Sequence, residues 1–238
     1  YNEIDRPHVT IGLLTSSARS PTGKLQLCAS TAFLFQEAHG QEPRVIHEMW
    51  DNNMHLMKFG RQLKAGQTYS YAVVGSSITS SHHPDPLNEA ERLTIFARLE
   101  GKERLLRFHT QAWQELWKSD IQIEGDAQAQ QDVRSMLYHL YSFSRAGTDI
   151  SPSPMGLSGL GYNGHVFWDT EIWMYPPLLL LKPQMARSLL EYRFDRLEAA
   201  RQNAKSHGYR GAMFPWESDD VGQEATPVWA LTGPFQHH

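Results

Sequence analysis

Several things are scarce in this sequence, and each scarcity removes a class of function. Cysteine occurs once, at Cys28, so no intrachain disulfide can form and the redox compartment is left open. Positive charge is not in excess: Lys and Arg total 22 against 26 Asp and Glu, a formal net charge of −4. A polyanion partner calls for a basic surplus or stripe, so no nucleic-acid partner is expected. Long apolar runs are missing as well. The most apolar stretch, Trp173 to Leu181, is interrupted by Pro176 and Pro177 and falls well short of the roughly 20 residues a membrane helix needs. No membrane partner is expected. There is no P-loop and no GxSxG elbow, which leaves P-loop phosphate chemistry and acyl transfer unsupported. The pairs His82-His83 and His237-His238 are adjacent rather than spaced for a helix-borne metal, and His165 stands apart from other histidines; neither a metal nor a cofactor is expected. No signal peptide is visible at Tyr1, and both ends look cut, so targeting signals would lie outside the chain.

What the sequence does hold is aromatic surface. Seven tryptophans is high for 238 residues, and four of them, Trp168, Trp173, Trp216 and Trp229, fall in the last third. Such residues serve equally as core, so their neighbours decide.

The first part of the chain reads as strands. Leu25–Ala29, Thr31–Phe35, Val45–Trp50, His55–Phe59 and Tyr69–Val74 are short and rich in β-branched or aromatic residues, with turns at Ala38-His39-Gly40 and Lys64-Ala65-Gly66. Tyr69, Tyr71 and Val73 alternate with Ser70 and Ala72, the period of a half-buried strand. Strands at this spacing suggest a sandwich. Asp85-Pro86 followed by Glu89 then opens a helix with Leu93 and Phe96 on its apolar side. A second helix follows Gly101, with Leu105, Phe108, Ala112 and Leu116 on one face. The spacing predicts a short strand at Asp120–Glu124, then a third helix capped by Asp126 with the stripe Ala129, Val133, Met136, Leu140 and Phe143. Thr148 to Gly164 is a loop long enough to be functional. The clearest helix starts after Pro183, with Ala186, Leu190, Phe194, Leu197, Ala200 and Ala204 as its buried stripe, and ends at His207-Gly208.

Sites that bind sugars combine an aromatic face, which covers the C–H side of the ring, with carboxylates that accept hydrogen bonds from hydroxyls. Phe167-Trp168-Asp169 and Phe214-Pro215-Trp216-Glu217 each join an aromatic to an acid, and each follows a glycine-containing loop. A structural account competes: Asp169 as a helix N-cap and Trp168 as a core anchor explain the same residue types. Glu171, two positions on, faces away from Asp169 on a helix and cannot easily share one hydroxyl with it. Asp219 and Asp220 are equally explained as an exposed acidic loop.

The stretch GLSGLGYNGHVFWDTEIWMYPPLLLLKPQMARSLLEYRFDRLEAARQNAKSHGYRGAMFPWESDD, residues 156–220, resembles the signature segment of glycoside hydrolase family 65, which includes maltose, trehalose and kojibiose phosphorylases, acid trehalases, kojibiose hydrolases and the glucosidase acting on glucosylgalactosyl-hydroxylysine. WKSDIQIEGDAQAQQDVRSMLYHL, residues 117–140, resembles the family's entry to its catalytic domain. The resemblance implies a multidomain β plus α chain: an incomplete β-sandwich over 1–81, a helical linker over 82–119, and the N-terminal half of an (α/α)6 barrel over 120–238. It places Trp168 and Asp169 at the glucose of the cleaved bond and lines the same pocket with Trp216 and Glu217. Phe167, Glu171 and His165 become supporting residues. The general acid of the family is a glutamate downstream of the FWD motif, which would fall beyond His238, and the base or phosphate-binding residues lie later still. No catalytic residue is therefore expected within the chain, and a second chain carrying the rest of the barrel is a conceivable partner. ISPSPMGLS and EATPVWALTGPFQHH resemble the hydrolase branch more than the phosphorylases. The function implied is inverting hydrolysis of an α-glucoside, with release of glucose from an α-1,2-linked disaccharide such as kojibiose. The alternatives are an inverting disaccharide phosphorylase of kojibiose or maltose type and, from another class, a non-catalytic carbohydrate-binding protein. No residue assigns a compartment, although hydrolases of this kind often work outside the cytoplasm, in bacteria in the periplasm.

Overall fold

The computed structural model describes the chain except residues 1, 7–8, 22, 38–40, 51–53, 158, 160 and 231–238; for 2–6 and 9–11 it describes the backbone alone. The Ala38-His39-Gly40 turn and the His237-His238 pair lie outside the described residues. The chain divides into two compact units, Tyr1–Trp113 and Gln114–His238.

The first unit is β-rich. Strands β1 (Asn2–Arg6), β2 (Val9–Arg19), β3 (Gln26–Phe35) and β6 (Tyr71–Thr79) form an antiparallel sheet in the order β1-β2-β3-β6, and β4 (Val45–Trp50) pairs with β5 (Met54–Phe59) as a separate hairpin. The two strands expected at 25–29 and 31–35 are one, because Ser30 continues the ladder opposite both Thr15 and Ser76. β1 and β2 were not foreseen: Gly12 and a run of Ser and Thr blur the period of two in Val9–Arg19. In β6 the alternation holds, with Tyr71 and Val73 on the open side and Ala72 and Val74 turned inward.

Helix α1 (Pro86–Glu100) starts as its capping signal demands. The Asp85 carboxylate accepts the Asn88 N–H, and Pro86 sits where no intrahelical donor is needed. Its buried face is Pro86, Ala90 and Thr94 rather than Leu93 and Phe96, which is 46% exposed. The reason is the closeness of the helix to the sheet. Small side chains fit the seam, where the Thr94 hydroxyl donates to the Ser30 carbonyl at 2.9 Å and meets the Ser76 hydroxyl at 2.9 Å. Ile95 and Val74 pack on buried Leu13 and Ala32 beside them. Helix α2 (Lys102–Leu116) has no buried residue despite its clear apolar stripe.

The second unit is mostly helical: α3 (Ala127–Phe143), α4 (Tyr175–Leu181), α5 (Pro183–Asp195) and α6 (Leu197–Ser206), with the two-residue strands β7 (Val166–Phe167) and β8 (Glu217–Ser218). The strand expected at Asp120–Glu124 is absent. The Gln130 side chain donates to the Ile121 carbonyl and accepts the Ile123 N–H, so α3 supplies the partners that a neighbouring strand would have supplied. Asp126 caps α3 through the Ala129 N–H, but the buried face is Leu137 and Tyr141, one step round from Met136, which is exposed. The long helix after Pro183 is two helices. Arg196 takes a non-helical conformation and breaks the phase. The buried set becomes Ala186, Leu189, Tyr192 and Arg193 in α5, then Ala200 and Ala204 in α6, while Leu190 and Phe194 are exposed. Gly208 leaves α6 in the left-handed region at φ 78°, as its place after a helix end requires.

Candidate functional site

The two aromatic–acid motifs meet, and the chain's own hydrogen bonds explain how. After α6, the Met213 N–H donates to the Ala200 carbonyl at 2.9 Å and the Asn203 amide donates to the Met213 carbonyl at 3.0 Å. These bonds lay residues 213–218 back along the helix and bury Pro215. β8 then pairs antiparallel with β7, Val166 opposite Ser218 and Phe167 opposite Glu217. Residues flanking such a rung are brought side by side, and the rings of Trp168 and Trp216 lie 5.4 Å apart, inclined at 42°. That distance is within the range of favourable aromatic pairs.

Each acid in the cluster has a different environment. Glu217 is buried, and its Oε1 lies 2.7 Å from His165 Nδ1. Glu171 is gripped by Arg193, Nε to Oε1 at 2.7 Å and Nη2 to Oε2 at 3.0 Å, a fork-on-carboxylate contact from α5. Asp169 is half-buried, and among the described residues its carboxylate accepts no hydrogen bond. It stands at the start of a π-helical turn, Thr170–Met174, but with φ −48° and ψ −34° it is already helical and its side chain caps nothing. The N-cap explanation for its residue type thus fails. Trp168 is half-buried and Phe167 fully so, with Tyr162 packed edge-on at 4.9 Å.

Three residues that periodicity and spacing did not single out hold this arrangement. Arg193 is 8% exposed, and its Nη2 also donates to the Phe167 carbonyl at 3.2 Å. Tyr192 donates to the Asp219 carbonyl at 2.7 Å and meets the Ser218 hydroxyl at 2.9 Å; burial raises its pKa above the ordinary phenol value. Glu224 accepts the N–H groups of both Trp216 and Glu217. The signal for Arg193 was a charge on the apolar phase of α5, four residues after Leu189. Asp219 folds its own loop, its Oδ1 accepting from Val221 and Gln223.

A Gly-x-Gly-x-x-Gly spacing does occur at 159–164, but it precedes β7 instead of linking a strand to a helix, with Tyr162 and Asn163 at positive φ. It lacks the context of a dinucleotide loop. Among the described residues no group of three or more His, Cys, Asp or Glu is arranged to hold a metal ion, and no helix is long and apolar enough to cross a membrane. Two grooves are lined by residues other than the tryptophan pair. One of about 480 Å³ in the first unit is lined by Phe35, Tyr71 and Lys102, and one of about 620 Å³ in the second by Trp117, Asp120 and Arg134.

Comparison with known proteins bears on the same segment. Residues 134–235 match the model of the glycosyl hydrolase family 65 central catalytic domain. The segment belongs to glycosyl hydrolase family 65. Over all 238 residues, the chain is 68% identical to the kojibiose hydrolase of Mucilaginibacter mallensis and 62% identical to that of Flavobacterium johnsoniae, and it spans 35% of the length of each. It is 42% identical to the kojibiose phosphorylase of Thermoanaerobacter brockii, again over 35% of that protein. A solved structure from human microbiome, assigned there as a kojibiose phosphorylase, superposes on 96% of the chain and 30% of its own with a TM-score of 0.70 at 19% identity. That likeness shows a shared fold, with β and α elements in one chain.

Proposed function

We propose that the protein of which residues 1–238 form a part is an inverting α-glucoside hydrolase that releases glucose from an α-1,2-linked disaccharide such as kojibiose. The observation that carries the proposal is the pairing of Trp168 with Trp216 at 5.4 Å, next in sequence to an Asp169 carboxylate that accepts no hydrogen bond among the described residues. Indole faces cover the apolar side of a pyranose, and an unpartnered, half-buried carboxylate is an acceptor for its hydroxyls. In this proposal Trp168 and Asp169 hold the glucosyl unit, with Trp216 and Glu217 completing the wall. Phe167, Glu171 and His165 support them through the contacts described above. Residues 1–81 are then an incomplete β-sandwich, 82–119 a helical linker, and 120–238 the first half of an (α/α)6 barrel.

Inversion needs one carboxylic acid to protonate the leaving oxygen and one carboxylate to activate water on the opposite face. The proposal assigns both to residues outside 1–238, so the present residues bind and orient the sugar. Phosphorolysis is the second reading, favoured by the 42% identity to a kojibiose phosphorylase. Incubating the full-length protein with kojibiose with and without phosphate separates them: glucose alone in both supports hydrolysis, and glucose 1-phosphate formed only with phosphate refutes it. Asp169→Ala in the same protein is expected to cost more than a hundredfold in turnover with the melting temperature nearly unchanged, since half-exposed polar truncations rarely cost much stability. Unchanged kinetics would remove Asp169 from the site.

A further inference from the structure

Glu224, which the sugar-binding proposal does not use, accepts hydrogen bonds from the backbone of two residues of the candidate site. Its Oε2 accepts the Trp216 N–H at 2.9 Å. Its Oε1 accepts the Glu217 N–H at 3.2 Å, the Thr226 N–H at 3.1 Å and the Thr226 hydroxyl at 2.5 Å. The loop that carries Glu224 is itself closed onto β8, for Ser218 and Glu224 form a β-bridge and the Ala225 N–H donates to the Glu217 carbonyl at 2.8 Å. Gly222, at φ 84°, makes the return possible. It is packed so tightly against Arg196 and Ala199 of the helical layer that an added Cβ would come within 2.7 Å of the Arg196 side chain.

The chemistry of this arrangement is that of an internal anion receptor. Successive backbone N–H groups at 216 and 217 converge on one carboxylate, and hydrogen bonds to a charged acceptor are stronger than neutral ones. The backbone directions at Trp216 and Glu217 fix where the indole and the buried carboxyl point. We infer that Glu224 is a positioning residue: it touches no substrate, and it sets the Trp216 ring against Trp168 and the Glu217 carboxyl against His165. The inference rests on Trp216 and Glu217 belonging to the sugar site.

The residue type matters for a definite reason. A glutamine at 224 keeps one oxygen and replaces the other by an NH2 group. With its oxygen turned to the three donors of Glu217 and Thr226, the new NH2 faces the Trp216 N–H, donor against donor. Glu224→Gln therefore releases Trp216 selectively while leaving the loop closed.

The test uses the full-length protein with kojibiose as probe, near-UV circular dichroism to read the coupled indole pair, and Trp216→Leu to define the signal of that pair by difference. Glu224→Gln is expected to lose most of that difference signal and to raise KM by about tenfold, the loss of roughly one charge-assisted hydrogen bond. Turnover should fall much less, and the exposed neighbour Asp220→Asn should change neither. Should Glu224→Gln not fold, Glu224→Asp is read in the same way, since it keeps the charge but is one methylene too short to span all four donors. An intact indole signal and an unchanged KM in the folded variant overturn the positioning role. A lost signal with unchanged KM, together with an active Trp216→Leu, leaves the positioning role standing and overturns the assignment of Trp216 to the sugar site.

Discussion

The ion pair behind the FWDTE segment offers the most direct measurement. Arg193 is nearly buried, its side chain 10% exposed, while that of Glu171 is 30% exposed. The guanidinium also donates to the Phe167 carbonyl and lies near the rings of Tyr192 and Phe214, at 5.5 and 5.8 Å. Among the described residues its Nη1 is buried without a partner, so Glu171 is the main compensation for its charge. Removing one member of a fully buried pair costs about 3–5 kcal/mol, whereas surface pairs are worth about 1 kcal/mol or less. Partial exposure of Glu171 places Glu171→Gln between these, at about 2–3 kcal/mol. Arg193→Met removes the buried charge at once and leaves the Phe167 carbonyl without that donor, a penalty of about 1–3 kcal/mol. If charge compensation is the reason for the pair, adding Arg193→Met to Glu171→Gln will cost nothing further, because the unpaired cation disappears. Urea titrations of the full-length protein, followed by far-UV circular dichroism, measure all three variants against Glu198→Gln, an exposed control whose side chain is 71% accessible. Should Glu171→Gln unfold within about 0.5 kcal/mol of that control, the size expected of an ordinary surface substitution, the account of Arg193 as a buried charge held by Glu171 is wrong.

Two further outcomes follow from the same scaffold. Burial raises the Tyr192 pKa, so the folded state disfavours its ionised form; the stability this contributes is complete below the ordinary tyrosine value of about 10 and is lost as pH rises beyond it. Stability curves between pH 8 and 11 should therefore fall more steeply for the parent than for Tyr192→Phe, and parallel curves would refute the link. Asp126→Ala removes the carboxylate that accepts the Ala129 N–H and should cost about 1 kcal/mol by thermal denaturation, against no change for the exposed Asp132→Ala.

Local signals in the sequence were read well where the physics is local. The caps at Asp85 and Asp126, the helix end at Gly208 and the turn at Lys64-Ala65-Gly66 all follow from backbone groups that must be satisfied within a few residues. Helix faces were read less well. Met136, Leu190 and Phe194 look like stripe members by spacing, yet Leu137, Leu189, Tyr192 and Arg193 are buried, because a break at Arg196 and the packing of neighbours set the phase. The false strand at Asp120–Glu124 has a similar cause, a glutamine side chain on α3 doing the work of a ladder. For the candidate site, the motifs FWD and PWES were legible as aromatic–acid pairs, but their meeting depends on the β7–β8 rung, only two residues long on each side. Arg193, Tyr192 and Glu224 stayed hidden since each acts on a segment distant in sequence or on backbone N–H groups that carry no side-chain signature.

Within the proposed site, the environments of four carboxylates separate the engaged from the available. Glu171 is committed to Arg193, Glu224 to four donors of its own loop, and Glu217 to His165 through Oε1. Asp169 alone among these four accepts no hydrogen bond from the described residues while being half-buried. An anion withdrawn from water without donors is a net cost to the folded state. In the proposed site that cost is recovered if a ligand brings hydroxyl donors to Asp169, next to the Trp168–Trp216 pair. In the proposed sugar site, the polar contact therefore falls to Asp169 before Glu171, Glu217 or Glu224, whose carboxylates are engaged by other protein groups.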